Sequence, residues 1–174
     1  MASTLDQLLA GLKLKSVARA GWLRVGVDAP ESVAAHSWGI TWLVLQLCPL
    51  DLDLQRALAL AVLHDLPEVQ VGDITPHDGI SKAHKHTLEA KAARDLFSGR
   101  PDLHALWLDY AEHQSPEARF VRDLDKLDMA LQALLYAHAG ADTAELVASA
   151  ASSAQDPTVR ALIAEVDARM STLR

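Results

Sequence analysis

Several charged or titratable side chains fall where helical periodicity calls for apolar ones. His36 belongs to the stripe His36, Ile40, Leu43, Leu47, so its imidazole points inward among three large aliphatics. His64 shares a helical face with Ala57, Leu60 and Ala61, and Asp65 follows it inside the same apolar run. Asp125 and Asp128 lie on one side of a leucine-rich stretch together with Val121 and Met129. Each has an ordinary explanation when taken alone. An inward His is more often a hydrogen-bonded core residue than a ligand, and Asp125 could pair with Arg122 along the helix surface. Lys126, adjacent to Asp125, projects about 100 degrees away from it. The set as a whole fits those explanations poorly, because an unpaired ionised Asp65 in apolar surroundings costs several kcal/mol. One divalent cation would satisfy His36, His64, Asp65 and Asp125 together. Mixed imidazole and carboxylate donors suit Mn, Fe, Co, Ni or Zn better than Ca, with Mg also admitted. They leave positions for water, which on a metal is a nucleophile at neutral pH.

The order His36, His64-Asp65, Asp125 resembles the H...HD...D signature of the HD-domain metal-dependent phosphohydrolases. Three further blocks, GWLRVGVDAPESVAAHS, LALAVLHDLPEVQVGDITP and EARFVRDLDKLDMALQA, resemble one branch of them, the YfbR-type 5'-deoxynucleotidases. The resemblance covers roughly residues 12–138. It implies a metal held by His36, His64, Asp65 and Asp125. Glu68 matches the acidic residue three after the His-Asp pair, which works on the attacking water or the leaving oxygen. Asp73, in VGDITP, matches a second essential carboxylate of the pocket, and Trp22 matches a tryptophan that packs by the sugar and helps exclude a ribose hydroxyl. Bacterial members carry a phosphate-binding arginine directly before that tryptophan. Here Gly21 stands there, and Arg19 takes the R-x-G-W arrangement of the eukaryotic relatives. Pro67 before Glu68 is a second departure, one that bears on how the carboxylate is aimed. A homodimer is implied as well.

The expected reaction is hydrolysis of a deoxynucleoside 5'-monophosphate, with Glu68 as acid/base partner and Asp73 positioning water or the 3'-hydroxyl. An acidic chain that binds a dianion needs local positive charge. Beyond the cation, Arg19 is the first candidate, and Lys82 or Lys85 at a helix start could add to it. His77, His84 and His86 lie in polar sequence and make a weak case for a second metal site. Two other readings share the ligand set: a phosphodiesterase or nucleoside-triphosphate hydrolase, and a nucleotide sensor that keeps its metal structurally. Glu68 and Asp73 favour an enzyme, since a purely structural site has no use for extra carboxylates beside its open positions.

The elements that must carry these residues are helices. Half of the 174 residues are hydrophobic, and 30 Ala and 29 Leu against 12 Val and 4 Ile favour an all-α fold. The expectation is a single compact HD domain spanning residues 1–174, a bundle of about six to eight helices. Leu5, Leu8, Leu9 and Leu12 mark a first amphipathic helix with Ser3 or Thr4 as its cap, and residues 16–31 read as a connection with a short helical piece. A second helix runs from Ser32 past Trp38 and Trp42, which are expected to pack. A third runs from Asp53 to Leu66, where Pro67 breaks it. Residues 72–79 form a loop, and further helices cover 82–96, 102–113 and 117–139. The segment 141–174 is expected to form peripheral C-terminal helices.

The net charge of -7 and pI near 5.5 argue against binding a nucleic-acid duplex. No apolar run reaches the roughly 18 residues of a membrane span, and the N-terminal sequence does not read as a signal peptide. A lone cysteine, Cys48, fits a reducing cytoplasm and reads as a buried structural thiol.

Overall fold

The computed structural model describes residues 4–173, so Ser3, one of the two cap candidates, lies outside the described residues. These form an all-α architecture with one isolated bridge, between Ala18 and Ser32. Eight helices have nine residues or more: α1 (Thr4–Leu12), α3 (Val33–Leu47), α4 (Leu54–Leu63), α6 (Lys82–Leu96), α7 (Pro101–Glu112), α8 (Pro116–His138), α9 (Ala144–Ser153) and α10 (Pro157–Ser171). Two shorter ones, α2 (Ala20–Arg24) and α5 (Glu68–Val71), lie in the segments that flank the site. No described helix is long and apolar enough to cross a membrane.

Local chemistry sets the boundaries. Ser32, Asp53, Ser81 and Ser115 each accept a bond from the amide three residues on, and Asp156 accepts two, from Thr158 and Val159. Pro101, Pro116 and Pro157 occupy first helical positions, where a missing N–H costs nothing. The helix expected over Asp53 to Leu66 is α4, and it ends at Leu63, earlier than its periodicity predicts. His64 is its C-cap, and Pro67 starts α5 rather than closing α4. The His-Asp pair therefore sits in the turn between two helices.

The 23-residue α8 is the central post. Its Ala118, Val121, Leu124, Leu127, Ala130 and Ala133 are buried against α3, α4, α9 and α10. The C-terminal segment, expected to be peripheral, instead joins the main core through Val147, Ile163 and Val166. Its Ala-rich helices are thin enough to lie close to α8, and the buried Asp123 fastens them by accepting from the amides of Gln155 and Asp156.

Three apolar readings fail on exposure. Trp38 and Trp42 do not pack but are 70% and 50% exposed. The α1 leucines are all exposed, because that helix touches little besides the following 3₁₀ turn (Lys13–Ser16) and α6. Cys48 is half-buried at the end of α3 rather than sealed in the core.

Asp109 is the polar clasp of the bundle. Its buried carboxylate accepts from Arg56 Nη2 (2.6 Å), Ser115 N (2.7 Å) and Ser115 Oγ (2.7 Å), joining α4, α7 and the start of α8. Burial works to raise this carboxyl, but the bonds from Ser115 and Arg56 outweigh it and hold the group below its ordinary value. The contribution is thus fully present above the unfolded carboxylate pKa of about 3.9 and is lost as pH falls through the depressed value. Asp109→Ala is expected to cost about 2 kcal/mol in urea unfolding at neutral pH and to lose less further stability than the wild type on acidification.

Candidate active site

Four segments converge on the middle of α8. His36, fully buried, comes from the first turn of α3; His64 and Asp65 from the turn after α4; Asp125 and Asp128 from α8; Arg19 from the residue before α2. His64 Nδ1 lies 2.9 Å from the Ala61 carbonyl oxygen, and His36 Nδ1 lies 2.7 Å from Asp128 Oδ2. With those oxygens as acceptors of an Nδ1 proton, both rings can direct Nε2 toward the centre, where its lone pair would be free for a cation. His36 Nε2 is 3.2 Å from Asp125 Oδ1 and 3.8 Å from Asp65 Oδ2, and His64 Nε2 is 3.0 Å from Asp65 Oδ2.

Neither Nε2 has a hydrogen-bond partner, although both are buried. Ligand atoms of His36, His64 and Asp65 all lie within 4.8 Å of one another. Two orphaned imidazole nitrogens facing a shared carboxylate are what a transition-metal cation requires, so the residues present fit one. Without it, the cluster is held by charge. Burial and Arg19 pull the His36 imidazole down, yet Asp125 and Asp128 prevail and push it up to about 9. Asp65 is opposed by burial but held well below the usual carboxylate range by His64, His36 and Arg19.

Beside this cluster lies a cavity of about 400 Å³ walled by Arg19, Asp65, Glu68, Asp73, Lys85 and Asp125, a size that suits a small ligand. Glu68 opens α5 and is 2% exposed, with Oε2 unpartnered. Burial first, then the charges of Asp65 and Asp73, push its carboxyl up to about 10. Lys85 Nζ sits 3.8 Å from Glu68 Oε1 and donates to the Ile74 carbonyl at 2.8 Å, fastening the loop after Asp73 to α6. Lys82, the alternative cation, is exposed and does not line the cavity.

Arg19 Nη1 is 3.7 Å from both Asp65 Oδ2 and Asp73 Oδ1, while Asp73 Oδ2 accepts from the Ala20 amide at 2.8 Å. Asp73 therefore holds the segment that presents the arginine. Trp22 forms part of the cavity wall but is only 2% exposed. Its ring meets Tyr136 edge-on, and its indole N–H donates to Glu31 Oε1 at 3.0 Å.

Residue-level reading of the sequence misses three contributors. Lys126 does reach Asp125, with Nζ 2.7 Å from Oδ2, because its long stem folds back across the 100-degree offset. Glu31 lies in the aperiodic connection and gives no signal of its own. Tyr110, edge-on to His64 at 5.1 Å, is placed by α7. His77, His84 and His86 form no ligand cluster among the described residues.

The profile of the HD-domain family matches residues 12–166. The chain is 34% identical over 168 residues to the human 5'-deoxynucleotidase HDDC2, covering 92% of this chain and 82% of that protein. It is 36% identical over 133 residues to the 5'-deoxynucleotidase hdd1 of Schizosaccharomyces pombe, covering 71% and 67%. In three dimensions it is similar to the PH0347 protein of Pyrococcus horikoshii OT3, with a TM-score of 0.81 at 30% identity over 98% of this chain and 100% of that one. The orphaned imidazoles, the buried acid beside them and these likenesses lead to one assignment: the chain belongs to the HD-domain phosphohydrolase family, in its 5'-deoxynucleotidase branch.

Proposed function

We propose that this chain, as a single HD domain, hydrolyses deoxyribonucleoside 5'-monophosphates to deoxynucleoside and phosphate. The observation that carries this reading is the pair of buried, unpartnered Nε2 atoms set beside a buried acid at the wall of a ligand-sized cavity. His36, His64, Asp65 and Asp125 would hold the divalent cation, which when bound supplies Lewis acidity toward water and phosphate. Mn, Co, Ni, Fe and Zn suit two imidazoles and two carboxylates, and Mg is the weaker fit.

Glu68 does the proton work. Its unpartnered Oε2 can give a proton to the leaving 5'-oxygen or take one from the attacking water. Arg19 offers its guanidinium to the phosphate dianion, a role that needs the fork Asp73 steadies. Trp22 acts on the sugar as a wall, since its N–H is already given to Glu31. Lys85 adds charge near Glu68 and keeps the loop at Ile74 in place. A cytoplasmic homodimer completes the proposal, with light scattering the check on its mass.

The test is a nucleotide panel on protein stripped of metal and restored with each cation in turn. Phosphate is expected from dAMP, dGMP and dTMP, only after restoration, and not from cyclic nucleotides or dNTPs. Hydrolysis confined to the latter two would move the assignment to a phosphodiesterase or triphosphate hydrolase. Stoichiometric Mn or Co with no turnover on any nucleotide would leave a metal-bound sensor.

A further inference from the structure

Asp128 does not line the cavity described above, yet it approaches to 2.7 Å from His36 Nδ1. The two imidazoles find their outer acceptors differently. His64 uses a carbonyl of its own helix, Ala61, three residues back. For His36 the carbonyl three residues back, that of Val33, accepts the Ser37 hydroxyl at 3.0 Å, and the ring finds its acceptor on another helix. Asp128 supplies it from α8, one turn beyond Asp125.

That reach depends on a glycine. Gly39 sits three residues after His36 on α3, and a Cβ built there would fall far inside contact with Asp128 Oδ1 and 3.0 Å from its Cγ. Aspartate is too short to bend its carboxylate away and still reach His36, so any side chain at 39 competes for the same space. Glycine inside a 15-residue helix carries an intrinsic penalty. Gly39 is neither at a turn nor among the positive-φ glycines, so the room it leaves for Asp128 is what the structure offers in return.

We infer that Asp128 is a positioning residue for the cation site, fixing the His36 tautomer and ring so that Nε2 faces Asp65 and Asp125, and that Gly39 is the notch that admits it. Such outer-shell carboxylates orient imidazole ligands and tune their hold on the ion. The inference rests on the reading of His36 as a ligand.

The experiment titrates Co²⁺ into metal-stripped protein, read by the visible absorption of the bound ion and by competition with a chromophoric chelator. Gly39→Ala and Asp128→Ala are expected to weaken Co²⁺ binding about 10- to 100-fold, and Asp128→Asn, which keeps one acceptor, about tenfold. In an Asp128→Ala background, adding Gly39→Ala is expected to change affinity no further, the non-additivity of residues that act through one contact. Unfolding of the stripped protein gives a second sign. Gly39→Ala should lower the midpoint in the wild type and raise it in the Asp128→Ala background, where alanine only helps the helix. Should Gly39→Ala not fold, Asp128→Asn carries the test alone. Variants that bind Co²⁺ as the wild type does would overturn the inference while leaving the metal centre standing. A wild type that takes up no cation would overturn both.

Discussion

Glu68→Gln is expected to keep the full complement of metal and lose 10²- to 10⁴-fold in kcat, about 3–5 kcal/mol of transition-state stabilisation. The substitution keeps the volume of the side chain and its place at the start of α5, where burial leaves little room for rearrangement. It removes the one property the proposed role requires, a proton held or accepted at Oε2. Arg19 and Lys85 remain to receive the phosphate, so KM should move far less than kcat. Elemental analysis with steady-state kinetics on dAMP checks both halves. A glutamine enzyme within tenfold of the wild type would assign the proton work to another group.

Asp65→Ala should act one step earlier. Its Oδ2 lies within 4 Å of His36 Nε2, His64 Nε2 and Arg19 Nη1, so it is the common neighbour of both imidazoles and of the arginine. Changes at residues that only orient ligands cost 10- to 100-fold in metal affinity, and loss of Asp65, which on the proposed reading would hold the cation itself, should exceed that, at least about 10²-fold. Metal content after dialysis should fall to background and activity with it, whichever cation is supplied. Stoichiometric metal in this variant would mean that the ion is held elsewhere. Together the two variants separate holding the cation from using it, since Glu68→Gln retains what Asp65→Ala discards.

The cluster of candidate ligands was legible because it violates a pattern. His36 and Asp65 interrupt apolar stripes whose other members are plainly core, and the cost of burying them alone makes a shared partner the economical reading. Helix limits were legible where a cap or proline carries them, as at Ser32, Asp53, Ser115 and Pro157. What periodicity cannot say is whether a face meets anything. The leucines of α1 and the tryptophans of α3 share proper stripes, yet solvent reaches them, because among the described residues no other helix packs closely over those faces. The reverse holds for α9 and α10, whose short stripes, Val147 and Ala150 on one and Val159, Ile163, Val166 and Met170 on the other, become core once α8 lies beside them. Glu31 and the Gly39–Asp128 fit were hidden for a third reason. They are long-range juxtapositions, between α8 and residues some ninety or more positions earlier, and no local spacing encodes them.

His36 is fully buried and His64 nearly so, while Asp65 and Asp125, in contact with them, also wall the cavity. The way to the imidazoles therefore runs through the space a nucleotide would fill. On the proposed reading, a cation held there would have to enter before the nucleotide, and a bound nucleotide would stand between the cation and solvent.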